Sequence, residues 1–529
     1  MRTRSRKCVF APGVLILLVS AGFCLGAQKG TKKAGVSTRT LPLAELEDRV
    51  RGGWAGKMVG VTYGAPTEFR YRQRINEDPR NWKPEELAGA LDQDDLYVQM
   101  TFAGVMDRLG LDATTEQYGE AHRDSQYRLW HANRQARRLL RRDIKAPRSG
   151  QPGFTYHTNE IGTQFEADFV GLMCPGLARA AQKYSDRFGH VIAYGDGVYA
   201  GMFVSGMYAA AFFERDPRRV VEAGLASIPS GSRYAQMVRD VLTWSAHNPD
   251  WKTTWQLINE KWDRNDACPE GALKPFNISA VLNGAYVTMG LLYGGGDFDR
   301  TLEITMRAGQ DSDCNPGTAG GVLGTMRGFK AIPAKWVEHL PVIADKNFSF
   351  TNYSFNSIVA STMERAKRAV ENEGGKINEG RLVIPLQKAR KVKLEQFWAG
   401  KVIERVRFDD PRWNFQGPWE QVGNEDGYQT ISRRSRSTGA QASVSFQGTG
   451  AVVVGALGND GGYAEIYLDG KLVTKVDAYN DDDRYNEGLW GKFDMKPGTH
   501  TVRILVNGQP YPGSKDAWIN LEDLIVYRK

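Results

Sequence analysis

The spacing of apolar residues divides the chain into two parts. From about residue 41 to 370, apolar residues recur at helical spacing between Pro and Gly breaks, as in residues 96–109 and 198–213. Several of these segments are apolar on nearly every side, which is typical of central helices. The composition shifts to Glu, Gly, Lys and Asn at residues 372–380. The pattern therefore predicts an all-α domain over residues 41–390.

After about residue 395 the apolar pattern takes a period of two. Turn signals separate the short apolar runs, and Asp469-Gly470 between two of them is a strong indication of a hairpin. We expect strands at five runs: residues 442–446, 451–456, 464–468, 500–506 and 524–527. Strands of this length and spacing predict an all-β sandwich of jelly-roll type over residues 395–529.

Aromatic residues stand among Asn and Asp in the predicted loops of the sandwich. Aromatic faces beside amides and carboxylates are typical of sugar-binding surfaces. The candidates for carbohydrate binding are Trp413, Trp419, Tyr485 and Trp490. The same side chains could instead close the core of the sandwich, and the sequence leaves both interpretations open.

The net charge of +8 comes from the N-terminus, because residues 1–40 hold eight Lys or Arg and no acid. The rest of the chain is balanced, so we expect no nucleic-acid binding. The basic start, the apolar run over residues 9–26 and the small residues after it are typical of a secretory signal. We predict a signal peptide over residues 1–27, a linker over 28–40, no stable membrane span and a secreted or periplasmic protein.

Two acidic clusters each stand directly before an apolar helical segment, Asp92-Gln93-Asp94-Asp95 and Asp311-Ser312-Asp313. One cluster could simply cap a helix. Two clusters, each with more carboxylates than a cap needs, predict buried like charges that a cation neutralises. Such oxygen ligands suit Mg²⁺, Mn²⁺ or Ca²⁺ better than zinc.

Four glycines recur at every fourth residue near the start of the helical region: Gly52, Gly56, Gly60 and Gly64. Each glycine weakens a helix by about 1 kcal/mol relative to alanine, so four on one face predict close packing against another backbone. Glu68 follows directly. We expect its carboxylate to enter the site that the other helix ends enclose.

The sequence also resembles a known family. GVTYGAPTEF, DQDDLYVQM and GQDSDCNPGTAGGVLG are similar, in order and spacing, to three motifs of the ADP-ribosylglycohydrolase family, over about residues 45–370. The resemblance implies an all-α fold with a dinuclear Mg²⁺ or Mn²⁺ site that hydrolyses the bond between the anomeric carbon of an ADP-ribosyl group and its acceptor. The implied metal ligands are Asp94, Asp95, Asp311 and Asp313.

Where the family places Thr or Ser beside these aspartates, this chain has Gln93, Leu96 and Cys314. Gln93 could supply an amide oxygen to the metal, and one ion is an alternative to two. The predicted catalytic residues are Glu68, Asp95 and Asp311, with Glu68 near the attacking water as general base. Looser correspondence to the family's substrate loops gives four substrate-binding candidates, each with capping or a buried hydrogen bond as the alternative: Glu166, Asp168, His190 and Asp196.

These features predict a secreted, metal-dependent hydrolase that cleaves a glycosidic bond at the anomeric carbon of an ADP-ribosyl group or of an extracellular glycan sugar. A basic pocket for a pyrophosphate would favour ADP-ribose, and a cleft lined by aromatic rings and amides would favour a glycan. The alternative is a non-catalytic carbohydrate-binding protein on a degenerate ADP-ribosylglycohydrolase fold, to which the missing Thr and Ser ligands would point.

Overall fold

Helices make up the first part of the chain and strands the second. The computed structural model describes residues 37–263, 266–395, 400–423 and 431–529. The predicted signal peptide and the linker up to residue 36 lie outside the described residues. Thr38–Lys529 form one compact unit.

The helical domain holds seventeen α-helices within the described ranges. They are α1 (Leu43–Gly64), α2 (Asp94–Leu109), α3 (Thr115–Asp124), α4 (His131–Leu140), α5 (Gly162–Glu166), α6 (Asp168–Leu172), α7 (Ala178–Gly189), α8 (Asp196–Ala211), α9 (Pro217–Ala226), α10 (Arg233–His247), α11 (Trp251–Trp262), α12 (Ala280–Gly294), α13 (Phe298–Arg307), α14 (Cys314–Arg327), α15 (Ala334–Val337), α16 (Leu340–Ile343) and α17 (Phe355–Asn372). The predicted helical segments 96–109 and 198–213 coincide with α2 and α8. In the part of the chain that the structure describes, no helix combines the length and apolarity needed to cross a bilayer.

The glycine face of α1 packs against the backbone of α14. A Cβ atom added to Gly52, Gly56 or Gly60 would collide with a backbone carbonyl oxygen of α14, and one added to Gly64 would collide with that of Ser312. The predicted close approach of two backbones is thus confirmed. Because the two helices run antiparallel, the end of α1 meets the start of α14, and this contact positions the candidate site.

A small antiparallel sheet joins the two ends of the helical domain. Strand β1 (Thr38–Pro42) pairs with β3 (Arg381–Pro385), which pairs with β2 (Lys376–Asn378). The predicted linker over residues 28–40 therefore overlaps β1 at its last three residues. The strand is short and mostly exposed, so its sequence carries little apolar alternation.

The second part of the chain is a β-sandwich. Its strands are β4 (Lys401–Arg407), β5 (Asn414–Gln416), β6 (Glu420–Val422), β7 (Ser432–Ser435), β8 (Gln441–Gly448), β9 (Gly450–Leu457), β10 (Gly462–Leu468), β11 (Lys471–Asp477), β12 (Arg484–Lys492), β13 (Gly498–Pro510), β14 (Ile519–Leu521) and β15 (Asp523–Arg528). The sheets have the orders β11-β10-β13-β8-β5, β12-β9-β15-β4 and β14-β7-β6. All five predicted runs are strands. Asp469 and Gly470 join β10 to β11 with φ angles of 51° and 79°, as a tight hairpin turn requires.

The four-stranded sheet is covered on both faces. One face contributes Val453, Leu524 and Val526 to the sandwich core. The other face packs against the helical domain, where Val452, Val454, Ile525 and Tyr527 contact Tyr156, Ala267 and Ala272. Strands β9 and β15 are buried along almost their whole length, which explains why their sequences are continuously apolar rather than alternating.

Candidate active site

A hollow of about 730 Å³ opens where α1 ends and where α2 and α14 begin. It brings together carboxylates that are far apart in the sequence: Glu68, Asp92, Asp94, Asp95, Asp311 and Asp313 all line it. Gln93 and Cys314 line it as well. We call this cavity the acidic hollow.

Two loops that are tied together place Glu68 opposite Asp313. The backbone N–H of Phe69 donates to the carbonyl of Gln310 at 2.8 Å, and the hydroxyls of Thr67 and Ser312 are 2.8 Å apart. Phe69 and Gln310 have φ angles of 50° and 54°, a left-handed conformation that is strained for residues other than glycine. Such strain is typical of functional sites.

Asp311 and Asp313 serve partly as helix caps, as the capping alternative predicts. The backbone N–H of Cys314, the first residue of α14, donates to Asp313 Oδ1 at 2.9 Å and to Asp311 Oδ1 at 3.3 Å. Both side chains are buried. Capping uses one oxygen of each carboxylate, while Asp311, Asp313 and Cys314 also offer ligand atoms that lie within 4.8 Å of one another.

Asp95 is held beneath the hollow by a buried lysine. Lys57 Nζ lies 3.0 Å from Asp95 Oδ1 and 3.3 Å from Asp168 Oδ2, and it donates to the carbonyl of Phe165 at 3.0 Å. The Cys314 thiol donates to Asp95 Oδ2 at 3.4 Å. Burial alone would lower the pKa of Lys57, but the charges of Asp168 and Asp95 more than offset this and raise it.

Sequence reasoning did not select Lys57. Its signal was a single charged residue in the glycine-rich stretch GGWAGKMVG, inside a segment expected to be buried. A lysine there requires a carboxylate partner. The identity of that partner depends on tertiary packing.

Crowding perturbs the other carboxyls of the hollow. Glu68 is an exposed residue, yet the burial of its carboxyl group and the charges of Asp313 and Asp94 raise the pKa of that group to about 9. Burial and the charge of Asp95 raise the pKa of Asp94 to about 7 and that of Asp313 to about 6. Burial, and then Asp313, raise the pKa of Asp311 well above its ordinary value.

The donor set of the hollow fits a hard divalent cation. Glu68, Asp94, Asp95, Asp311 and Asp313 supply carboxylate oxygens, and Lys57 is the one cation that forms an ion pair with any of the five within the described residues. Arg70 and Arg72 also line the hollow, so five carboxylates beside three basic side chains leave a negative excess in a partly desolvated place. Mg²⁺, Mn²⁺ and Ca²⁺ prefer such oxygen ligands.

The remaining wall of the hollow carries aromatic rings, amides and the basic side chains of Arg70, Arg72 and His131. The rings are those of Phe69, Tyr97, Trp130, Phe165 and Phe276. The indole of Trp130 is 37% exposed, so its surface is accessible to a ligand. Asn133 and Gln93 add amide groups. This lining combines flat apolar faces with groups that can hydrogen-bond to hydroxyls.

The four candidate substrate-binding residues lie outside the lining of the hollow. Glu166 is the nearest, because it accepts a hydrogen bond at 2.6 Å from Asn133, which lines the hollow. Asp168 is buried beneath, bound to Lys57 and to the hydroxyl of Tyr208.

The other two candidates have structural partners. His190 Nε2 lies 3.0 Å from Glu395, and Asp196 accepts the backbone N–H of Tyr234 at 3.0 Å. In these two cases the contacts are the capping and hydrogen-bonding roles that the sequence left as alternatives.

The four aromatic candidates of the sandwich separate into two groups. Trp413 and Trp490 are each 7% exposed and belong to the sandwich core, so neither presents a free ring face and the core interpretation holds for both. Trp419 is half-buried against Phe415. Tyr485 lines a cleft of about 920 Å³ that shares His131 and Phe276 with the acidic hollow.

A second charged cluster joins the helical domain to the sandwich, and we call it the junction cluster. Glu487 of β12 pairs with Arg134 of α4 and lies 3.0 Å from His157 Nε2. His157 Nδ1 lies 2.7 Å from Glu160. Glu270 pairs with His131 and lies 3.5 Å from Arg134. The contacts join three carboxylates to three side chains that carry or can accept positive charge.

The pKa values of the junction cluster reflect this pairing. Burial alone would raise the pKa of Glu270, but the charge of His131 and its hydrogen bond lower it to about 2. Burial alone would lower the pKa of His157, but Glu160 raises it. Although His131, Glu160 and Glu270 offer ligand atoms within 4.8 Å of one another, the charges here are already neutralised from within the chain.

Comparison with known proteins identifies the helical domain. A relative from Flavonifractor plautii, an A type blood alpha-D-galactosamine galactosaminidase, is 27% identical over 106 residues, which are 20% of this chain and 10% of that protein. This chain thus spans about a tenth of that relative's length.

Solved structures are also similar to this chain, and two of them serve as examples. A chain of an ADP-ribosylglycohydrolase-related protein complex is 15% identical and covers 62% of this chain and 99% of its own length, with a TM-score of 0.42. A β-1,3-glucan-binding CBM6 from Bacillus halodurans is 21% identical and covers 24% of this chain and 96% of its own length, with a TM-score of 0.19. The family model described as ADP-ribosylglycohydrolase matches residues 42–365, more than half of the chain and the whole region that builds the acidic hollow. The chain therefore belongs to the ADP-ribosylglycohydrolase family.

Proposed function

We propose that this protein is a secreted, metal-dependent hydrolase that cleaves a glycosidic bond at the anomeric carbon of a glycan sugar. One observation carries the proposal: Glu68 and two aspartate pairs, from three distant parts of the sequence, meet in one solvent-reachable hollow. Membership of a family of glycosyl hydrolases supports the class of reaction.

The acidic residues divide into ligands and a base. Asp94, Asp311 and Asp313 would hold the divalent cation, and Asp95 and Gln93 would complete its surroundings. A bound Mg²⁺ or Mn²⁺ supplies a polarised water and a grip on sugar hydroxyls. Glu68 lines the hollow; a bound cation would offset the neighbouring charges that raise its pKa, so that its carboxylate would take a proton from the attacking water as general base.

The transition state of glycosidic cleavage resembles an oxocarbenium ion. The negative excess of the hollow stabilises the positive charge that develops on the sugar. Lys57 Nζ lies 3.0 Å from Asp95 Oδ1, so this contact fixes the orientation of the carboxylate during the reaction.

The aromatic rings and amides of the hollow support a glycan as the substrate. Aromatic rings such as Trp130 and Phe276 offer faces on which sugars stack, and Asn133 offers hydrogen bonds to hydroxyls. The cleft that continues from the hollow reaches Tyr485 of the sandwich, which gives a longer chain of sugars a place to bind. The name of the Flavonifractor plautii relative, a galactosaminidase, agrees with a glycosidase.

The sandwich and the N-terminus complete the proposal. Tyr485 and Trp419 remain the carbohydrate-binding candidates of the sandwich, because both are partly accessible. The basic and apolar start of the sequence supports export, where extracellular glycans are available and intracellular ADP-ribosylated targets are scarce.

The decisive test replaces Asp311 and Asp313 together, as Asp311→Asn/Asp313→Asn. The variant keeps the shape of both side chains and their caps on α14, but it removes two charges from the cation site. We expect loss of Mn²⁺-dependent hydrolysis of oligosaccharides by at least about 10³-fold, and loss of the Mn²⁺-induced rise in melting temperature.

The matched control is Asp297→Asn. Asp297 caps the neighbouring helix α13 by accepting the N–H of Arg300 at 2.8 Å, so it tests whether Asp-to-Asn exchange at a cap disturbs the fold. Unaltered turnover in the double variant would eliminate the proposed hydrolase.

One observation favours the alternative of a non-catalytic carbohydrate-binding protein. Lys57 provides a fixed positive charge 3.0 Å from Asp95, where an active enzyme could use a second cation. A screen of oligosaccharides with the full chain separates the two functions. Binding without turnover in the presence of Mg²⁺ or Mn²⁺ identifies a binder, whereas metal-dependent release of sugar identifies the enzyme.

A further inference from the structure

A second cavity, of about 470 Å³, lies beside the acidic hollow and is lined by arginines. One wall is α4 with the residues on either side of it, and the other is the loop that leads into β12. Leu129 lines both cavities. The helical domain supplies Arg128, Arg134, Arg137, Arg138, Arg141 and Arg142. Across from them stands Arg484 of the sandwich. We call this cavity the arginine pocket.

The carboxylates of the pocket neutralise only part of this charge. Three aspartates of the sandwich pair with arginines of the pocket: Asp477, Asp481 and Asp482. Among the described residues, Arg137 and Arg128 form no ion pair. Arg137 donates instead to the carbonyl oxygen of Tyr127 at 2.6 Å, and Arg128 lies over the ring of Trp130. The pocket thus keeps a positive excess.

Two buried donors of the pocket also have no acceptor. The Nε atoms of Arg142 and Arg484 are buried and make no hydrogen bond within the described residues. Burial, then the charges of neighbouring arginines, lower the pKa of Arg137 and of Arg484 to about 10. Arg142 and Arg484 each have one aspartate partner, but their buried Nε–H donors remain without an acceptor, which is unfavourable for a polar group removed from water.

We infer that the arginine pocket binds an oxyanion group of the substrate, on a unit next to the sugar whose glycosidic bond faces the acidic hollow. This inference rests on the proposed function and narrows its substrate class to an anionic one. Guanidinium groups bind oxyanions through paired, charge-assisted hydrogen bonds. An adjacent positive pocket also offsets the repulsion between the acidic hollow and a negatively charged substrate.

A sulfate ester, a uronic acid carboxylate and a pyrophosphate share this chemistry, and the experiment distinguishes them. Calorimetry is performed on the full chain carrying Asp311→Asn/Asp313→Asn, so that binding is read without turnover. The probes are a sulfated disaccharide, a digalacturonide, ADP-ribose and neutral lactose. We expect at least one anionic probe to bind at least about tenfold more tightly than lactose, with an affinity that falls as salt rises.

Variants then assign the binding to the pocket. Arg128→Gln changes an exposed side chain and leaves the backbone contacts of the pocket intact, whereas Arg137→Gln changes a half-buried one. Each should weaken the anionic probe by about tenfold, and the matched control Arg368→Gln, at an exposed position of α17, should not. Thermal melts report the folding of each variant, so Arg128→Gln still tests the inference if Arg137→Gln misfolds.

Two results would overturn the inference. In the first, no anionic probe binds more tightly than lactose. In the second, the folded arginine variants bind the anionic probe as tightly as the parent does. The anionic probe that binds most tightly identifies whether the oxyanion is a sulfate ester, a carboxylate or a pyrophosphate. The proposed hydrolase fails independently, by retained turnover in the double aspartate variant. Binding of an anion and hydrolysis are therefore separable outcomes.

Discussion

The acidic hollow and the junction cluster both crowd carboxylates together, but their surroundings are opposite. At the junction, Glu160, Glu270 and Glu487 contact an arginine and two histidines. In the hollow, Asp95 pairs with Lys57, while Glu68, Asp94, Asp311 and Asp313 form no ion pair within the described residues. The pKa values follow this difference, since that of Glu270 is lowered to about 2 while that of Asp94 is raised to about 7.

The difference separates a cluster that stabilises the structure from one that is suited to binding a cation. Buried carboxylates that have partners contribute to a rigid interface between the domains, and removing one partner leaves an uncompensated charge. Carboxylates without partners are unfavourable in the metal-free protein and become favourable when a cation from solution binds them. We therefore predict that the hollow, unlike the junction, binds a cation from solution.

The largest expected effect comes from removing the buried lysine that pairs with Asp95 beneath the hollow. Lys57→Met leaves Asp95 and Asp168 buried without a positive partner, and breaking such a pair destabilises a protein by about 3–5 kcal/mol. Denaturation by urea measures the free energy of unfolding. The control Lys252→Met removes an exposed lysine that lies 2.6 Å from Glu77, which should change stability by less than about 1 kcal/mol. Equal stabilities of the two variants would show that Lys57 is dispensable.

A slightly smaller loss is expected at the junction. Glu487→Gln removes a charge that pairs with both Arg134 and His157, so each of these side chains loses one of its two acidic partners, at a cost of about 3 kcal/mol. The exposed pair of Glu420 with Arg434 at 2.7 Å provides the control variant Glu420→Gln. Urea denaturation again gives the comparison. If Glu487→Gln lowered the free energy of unfolding no more than the control does, the contacts of Glu487 would stabilise the protein no more than a surface ion pair.

The two clusters should respond to pH in opposite directions. Asp94 has a folded-state pKa raised to about 7, so its contribution to stability is complete below pH 4 and is lost as pH rises through 7. Glu270 has a folded-state pKa lowered to about 2, so its contribution is complete above pH 4.5 and is lost as pH falls through 2.

We therefore expect the metal-free protein to be less stable at pH 7.5 than at pH 5.5, by about 2 kcal/mol. Addition of Mn²⁺ should raise the melting temperature more at pH 7.5, because protons no longer compete for the carboxylates. In the variant Asp311→Asn/Asp313→Asn, both the stability of the metal-free protein and the Mn²⁺-induced rise in melting temperature should depend less on pH. A metal-induced rise that is larger at pH 5.5 would contradict this account.

Local patterns were sufficient to predict the fold and the meeting of Glu68 with the aspartate pairs. The glycines of α1 indicate a close helix contact, and the acidic clusters before α2 and α14 mark helix starts, so the three segments could be brought to one place. The predicted linker overlaps β1, because a short exposed strand shows little alternation of apolar and polar residues.

Other features depend on contacts between distant residues. Nothing near Glu487 in the sequence indicates that it pairs with Arg134 and His157, which lie more than 300 residues away. Trp413 and Trp490 show the same limit, since a tryptophan in a strand or loop has the same sequence neighbours whether its ring enters the core or a sugar site. Burial decides between these alternatives, and burial is a property of the whole sandwich.

The smallest expected change in the free energy of unfolding is also the one whose sign best distinguishes the acidic hollow from the junction cluster. Asp311→Asn removes one charge from a crowded set, while the amide oxygen can still accept the N–H of Cys314, which lies 3.3 Å from Asp311 Oδ1. The metal-free variant should therefore be more stable than the parent by about 1 kcal/mol at pH 7.5, because like charges in a desolvated site repel. With saturating Mn²⁺ the order should reverse, since the parent gains binding energy that the variant has lost. Urea denaturation gives the free energy of unfolding of the parent and of the variant, each with and without Mn²⁺. A variant that is less stable than the parent in both conditions would mean that Asp311 acts only as a cap, and the hollow would then resemble the junction.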